Sequence, residues 1–160
     1  MKKAIYPGSF DPITNGHIDI VKRAQNVFDE IYIAVIRNPD KNPLFSVAER
    51  IKLIQELFKD SPGIKVESFE GLLVDYADTK QIYTVIRGLR AVSDFDFEFQ
   101  MALTNRNLND KIDTVLMMTD EKYSYLSSSI VKQIAQFGTK ADQFIPEIVN
   151  EALKRKMNHE

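Results

Sequence analysis

One stretch near the start of the chain concentrates the residue types that handle phosphate. Pro7-Gly8-Ser9-Phe10-Asp11-Pro12-Ile13-Thr14-Asn15-Gly16-His17 sets two glycines, hydroxyls and a histidine between a short apolar run and a helical stripe. Glycine lets a backbone approach an anion closely, and the first N–H groups of a helix supply donors for it. The glycine spacing is that of neither a Walker loop nor a dinucleotide fingerprint. His17 lies three residues before Ile20 and seven before Ala24, so it continues the inward stripe and aims at a ligand crevice. A core histidine or a plain capping residue is an equally open reading of those positions. Further on, Ile86-Arg87-Gly88-Leu89-Arg90 places two guanidiniums around a glycine directly after a buried strand, and such forks suit phosphate oxygens. The alternative is two solvated arginines paired with Asp94 or Asp96. Tyr123-Ser124-Tyr125-Leu126 leads into Ser127-Ser128-Ser129, gathering hydroxyls at a helix N-terminus, where one capping serine accounts for only one of the three. Lys41, in the turn-rich stretch Arg37 to Pro43, reads by itself as a surface lysine. A hydrolase nucleophile would need an oriented base, yet these segments offer one histidine and no clear acidic partner for it. Positive and neutral donors fit transfer between phosphates, where the acceptor is already ionised and the protein supplies position and charge stabilisation.

These segments must be held by an alternation of strands and helices. Ala4 to Tyr6, Ile31 to Ile36, Thr84 to Ile86 and Thr114 to Met118 read as short buried strands, and Ile64 to Phe69 as a fifth with one wetter face. Between them the apolar period turns helical, with Ile20, Ala24, Val27 and Phe28 on one stripe and Ile51, Ile54 and Phe58 on another. Ser46 and Glu49 form a capping-box pair, a helix beginning near Ser128 ends at Gly138, and Glu147 to Lys156 is a terminal helix. Phe95, Phe99, Ala102 and Leu103 keep helical spacing after Ser93 or Asp94 as N-cap. That helix is aromatic on more than one face, so part of it is expected to meet another subunit. The expectation is an α/β fold: one Rossmann-like doubly wound domain over residues 1–160, with five parallel strands and helices on both faces. Ligands in such sheets collect at the carboxyl ends of the strands, where the segments above fall.

Bulk properties agree. The chain has 160 residues, 44% of them hydrophobic and 28% charged, the balance of a folded globular protein. A formal charge of −2 offers no global field for nucleic acid, and the lack of cysteine excludes disulfides, thiolate nucleophiles and cysteine-bearing zinc sites. With two histidines, one beside the C-terminus, an all-histidine metal site is not expected either. Lys2 and Lys3 lead into a strand-like segment rather than an apolar leader, so neither a membrane nor a nucleic-acid partner is expected, and the cytoplasm is the expected location.

Gly8-Ser9-Phe10-Asp11-Pro12 followed by Thr14-Asn15-Gly16-His17, with the Arg87 to Arg90 segment, Asp94 to Glu98 and the three serines, closely resembles the bacterial phosphopantetheine adenylyltransferase family over nearly the whole chain. The T-x-G-H element alone is shared by many nucleotidylyltransferases. The resemblance implies reaction of ATP with 4′-phosphopantetheine to dephospho-coenzyme A and pyrophosphate, Mg²⁺ bound through ATP phosphates, coenzyme A as a feedback ligand, and a homohexamer. By the same resemblance His17 is a transition-state stabiliser, acting with Lys41 and Arg90. Ser9, Phe10, His17, Gly88, Leu89, Arg90 and Glu98 match the ATP side, as do Tyr123, Ser124, Tyr125, Leu126, Ser127, Ser128 and Ser129. Ser9, Lys41, Leu73 and Arg87 match the acceptor side. Leu126 stands where isoleucine is usual, Ser9 where threonine is commoner, and Leu73 where some relatives have methionine. A nucleotidylyltransferase for another phosphorylated acceptor, such as nicotinamide mononucleotide or a sugar-alcohol phosphate, shares the first loop. A non-catalytic nucleotide-binding domain would need only the phosphate-binding segments.

Overall fold

The computed structural model describes residues 1–37, 42–137 and 140–157. Strands and helices alternate in the order β1 (Lys3–Gly8), α1 (Asn15–Ala24), β2 (Glu30–Arg37), α2 (Val47–Leu57), β3 (Ile64–Glu70), α3 (Leu73–Lys80), β4 (Thr84–Leu89), α4 (Val92–Leu108), β5 (Asp113–Met118), α5 (Ser128–Gln136) and α6 (Glu147–Met157). The five strands form one parallel sheet in the order β3-β2-β1-β4-β5, the doubly wound arrangement that the alternating pattern predicts. From β1 the chain winds outward through β2 to β3, then returns to the other side of β1 for β4 and β5. That reversal leaves a crevice at the carboxyl ends of β1 and β4.

Alternate strand residues feed two cores, because successive side chains on a strand point to opposite faces. Ala4, Tyr6, Ile33, Val35 and Ile86 join Ile20 of α1, Ile54 of α2, Val131 of α5 and Val149 of α6. Ile5, Ala34 and Val85 face the other way, onto Val74, Tyr76 and Ala77 of α3. Apolar residues are needed at consecutive positions for this, which is why β1, β2 and β4 read as unbroken apolar runs.

The structure corrects several boundaries. β4 continues through Arg87 and Gly88 to Leu89, so the first arginine sits on the strand rather than in the loop after it. Neither Ser93 nor Asp94 caps α4: Ala91 holds the N-cap position, and Asp94 lies inside the first turn with its carboxylate on Arg90. Val27 follows the end of α1 and is exposed, while Phe28 alone turns back to the core. The capping box of Ser46 and Glu49 opens α2 as expected. Gly138 and His159 lie outside the described residues. α4 packs on α3, β4 and β5, yet its Phe95, Phe97 and Phe99 are 42, 59 and 49% exposed and only Glu98 is buried. No described helix is long and apolar enough to cross a membrane.

Candidate active site

A cavity of about 460 Å³ occupies the crevice at the carboxyl ends of β1 and β4. The β1–α1 loop supplies Ser9, Phe10, Asp11 and Thr14, and the first turn of α1 supplies His17; β4 and its extension supply Arg87, Gly88 and Arg90; α4 supplies Glu98. Asn42, Pro43 and Arg50 close one side, and Leu126 to Ser129 with Lys132 close the other. Four cationic side chains thus face two carboxylates in a chain whose formal charge is −2. The positive potential an anion requires is local.

Packing beneath the crevice explains two of the glycines, Gly8 and Gly88. Phe10 has a φ of 49°, is buried, and meets Tyr6 and His17 edge-on with ring centroids 5.4 and 5.2 Å apart. A Cβ on Gly8 would stand 2.9 Å from the Phe10 ring, and one on Gly88 3.2 Å from Ile20. At Gly8 the Phe10 ring would have to shift to admit a methyl group, and at Gly88 the Ile20 side chain would have to give by a few tenths of an ångström.

His17 occupies the third position of α1, where a capping box ordinarily carries glutamate or glutamine. Its backbone N–H donates to the Thr14 hydroxyl, and the Thr14 backbone N–H donates 3.0 Å to His17 Nδ1. The Thr14 hydroxyl lies 2.9 Å from the same nitrogen. An amide can only donate, so Nδ1 is bare and the neutral ring carries its proton on Nε2. Burial, then the charges of Arg90 and Arg87, push the imidazole pKa down to about 4 from 6.5. The ring is therefore a neutral, oriented donor at pH 7, which unites the capping and crevice readings of this residue. Nitrogen NMR should report the Nε2–H tautomer from pH 8 to below 5.5, with titration near pH 4. A midpoint at 6.5 would mean the ring is not held this way. The same shift links to stability. The unfolded chain takes up this proton at higher pH than the native one, so this contribution is complete above pH 6.5 and fades as pH falls toward 4.

The two arginines have separate anchors. Arg87 pairs bidentately with Glu98, Nε to Oε2 at 2.7 Å and Nη2 to Oε1 at 2.8 Å, and Nη1 donates to the Pro7 carbonyl at 3.0 Å. Two of its five N–H groups remain for a ligand. Arg90 holds Asp94 at 3.0 Å and donates to the Leu126 carbonyl at 3.1 Å, tying the end of β4 to the segment before α5. There Ser127 caps the helix and Ser128 donates to the Pro12 carbonyl at 2.8 Å.

Ser9, Phe10, His17, Arg87, Gly88, Arg90, Glu98 and Leu126 to Ser129 come together on this wall. Leu89, Tyr123, Ser124 and Tyr125 do not line the cavity; Tyr125 is exposed, its ring edge against Phe144. Leu73 opens α3 and packs against the core on that side of the sheet. Lys41 lies outside the described residues. Asp11, Arg50 and Lys132 were not singled out from the sequence, although a signal existed. Arg50 falls four residues before Ile54 and eight before Phe58, on the inward stripe of α2, and Lys132 lies one turn beyond Ser128.

The profile of the Cytidylyltransferase-like family matches residues 5–134. A phosphopantetheine adenylyltransferase of Caldanaerobacter subterraneus subsp. tengcongensis is 56% identical over 156 residues, covering 98% of both chains. One from Alkaliphilus metalliredigens is 53% identical over 156 residues, 98% of this chain and 99% of the other. Among solved structures, a Plasmodium falciparum nicotinic acid mononucleotide adenylyltransferase complexed with NaAD superposes with a TM-score of 0.68 at 19% identity, covering 97% of this chain and 96% of that one, and shares the fold.

Proposed function

The chain belongs to the cytidylyltransferase-like family and, within it, to the phosphopantetheine adenylyltransferases, and from that premise we propose how its pocket transfers the adenylyl group of ATP to 4′-phosphopantetheine. An acceptor phosphate oxygen attacks the α-phosphorus, the bond from that phosphorus to the bridging oxygen breaks, and pyrophosphate leaves dephospho-coenzyme A behind. The observation that carries this reading is the neutral Nε2–H donor of His17 at the crevice among cationic side chains. It donates to an α-phosphate oxygen while negative charge is redistributed, and takes no proton, since the acceptor phosphate is largely ionised near pH 7.

The ATP side is formed by Ser9 and Phe10, by Gly88 and Arg90, and by Leu126 to Ser129; Leu89, Tyr123, Ser124 and Tyr125, which the resemblance also assigns to it, do not line the cavity. Glu98 serves that side and holds the Arg87 fork. Arg87 meets the acceptor phosphate with its two spare N–H groups, together with Ser9 and Lys41, whereas Leu73, packed against the core on the α3 face of the sheet, does not reach the cavity wall. Among the described residues no group of three or more His, Cys, Asp or Glu could hold a metal ion. Asp11 and Glu98, the carboxylates on the wall, are engaged by Lys132 and Arg87. Magnesium, which the family resemblance implies, would be carried in by ATP rather than held by these side chains, and would supply charge neutralisation at the phosphates. Coenzyme A is the proposed feedback ligand, and the cytoplasm is the proposed location.

An adenylyl-transfer assay offers phosphopantetheine, nicotinamide mononucleotide and a sugar-alcohol phosphate in parallel. Pyrophosphate release with the first alone is expected. Equal turnover of another acceptor would reassign the substrate, and ATP binding without turnover would leave a non-catalytic domain.

The proposed assembly is a homohexamer. Phe95, Phe97, Phe99 and Met101 leave α4 with more apolar surface than its neighbours cover. Sedimentation at micromolar concentration should show a multiple of the 18.4 kDa chain, and a monomer would overturn the interface.

A further inference from the structure

Asp11 is 5% exposed and stands on the cavity wall, but its carboxylate does not face a ligand unengaged. Oδ1 accepts from the Phe45 backbone N–H at 2.8 Å, and Oδ2 from the Leu44 backbone N–H at 3.0 Å and from Lys132 Nζ at 2.9 Å. Those donors come from two segments that sequence order keeps far apart. Leu44 and Phe45 follow Asn42 and Pro43, on the wall formed between β2 and α2; Lys132 is one turn into α5, beyond the serines on the opposite wall. Asp11 itself follows Ser9 and Phe10. One buried carboxylate therefore joins three pieces of the pocket.

The chemistry of that junction requires aspartate. All three partners are donors, so the group must accept everywhere, and asparagine would turn an NH₂ toward one of them. Burying a charge is costly unless it is paired and hydrogen-bonded, as it is here.

We propose that Asp11 is a positioning residue that ties the α5 wall to the β2–α2 wall, so that the acceptor half of the pocket depends on a lysine carried by the nucleotide half. The inference rests on the two-substrate reading above. It gives Lys132 an effect on a ligand it does not need to touch.

The test is calorimetric titration of phosphopantetheine alone and of a non-hydrolysable ATP analogue alone, into wild type, Asp11→Asn, Lys132→Met and the double variant. Asp11→Asn should weaken phosphopantetheine tenfold or more and leave the ATP analogue within about threefold, since the freed Lys132 ammonium stays near the phosphates. Lys132→Met should weaken phosphopantetheine several-fold in the absence of nucleotide, and should add nothing in the Asp11→Asn background. Equal weakening of both ligands by Asp11→Asn, additive effects, or tighter phosphopantetheine binding once Asp11 releases the lysine would each overturn the bridge. Should Asp11→Asn lose its near-ultraviolet circular dichroism, Lys132→Met alone decides: unchanged phosphopantetheine affinity rejects the proposal. A wild type that binds a different acceptor instead defeats the substrate assignment, and the same four proteins titrated with that acceptor then test Asp11.

Discussion

Replacing His17 with alanine should slow adenylyl transfer by roughly 10² to 10³ in kcat, about 2.7 to 4 kcal/mol, the usual cost of losing one preorganised donor to a developing charge. The variant should fold, because the Thr14 hydroxyl still caps α1; the bonds to Nδ1 from the Thr14 backbone N–H and hydroxyl are lost, each worth about 1 kcal/mol, along with the edge contact to Phe10. ATP should bind to within several-fold. His17→Gln and His17→Asn should keep part of the rate, since a carboxamide can donate from a similar place. A general base would show no such rescue, and the structure leaves the ring no free lone pair to act as one: Nδ1 faces the Thr14 amide and Nε2 carries the proton. A wild-type kcat for His17→Ala removes the residue from the mechanism.

Arg87→Met should show two separable losses. Glu98, buried on α4, would be left without both charge-assisted bonds, and breaking a buried pair from one side costs about 3–5 kcal/mol. Chemical denaturation reads that term. Arg87→Met combined with Glu98→Gln should recover much of the stability, because no uncompensated charge remains. Acceptor affinity should not return with it, since the fork that meets the phosphate is still missing. Charge-assisted bonds of roughly 1.5 to 3 kcal/mol each imply a phosphopantetheine Kd at least tenfold weaker, with ATP much less affected. Equal weakening of the two substrates would show that the pocket is divided differently.

The sheet was legible because its inner strands β1, β2 and β4 are apolar toward both faces and all five strands are separated by helical periods, a pattern carried by many residues at once; the outer strands β3 and β5 are only partly buried, β5 less than its apolar run predicts. The boundary errors have a common origin. Arg87 and Gly88 look like loop residues, yet they extend β4 in register with β5, and Glu98 and the Pro7 carbonyl satisfy the guanidinium at the carboxyl end of the strand. α3 has only eight residues and no side-chain cap, so nothing in its sequence marked its start. In the pocket, the residues with familiar anion-binding chemistry stood out. Asp11, Arg50 and Lys132 did not, since their role depends on partners 34, 41 and 121 positions away. Arg50, for instance, is buried in α2 and donates 2.7 Å to the Ser9 carbonyl, a contact that no local spacing reveals.

The chain opens two helices with the same reciprocal cap and a different third residue. α2 uses Ser46 and Glu49, whose carboxylate also suits the positive end of the helix; α1 uses Thr14 and His17 and has no acidic residue in its first turn. Glutamate at position 17 would close the cap equally well and gain about 0.3–1 kcal/mol from the helix dipole. It would also put a negative charge where phosphates arrive. The first turn of α1 is thus held below its attainable local stability, and a library of variants screened only for heat resistance should drift toward acidic residues at this position while losing turnover.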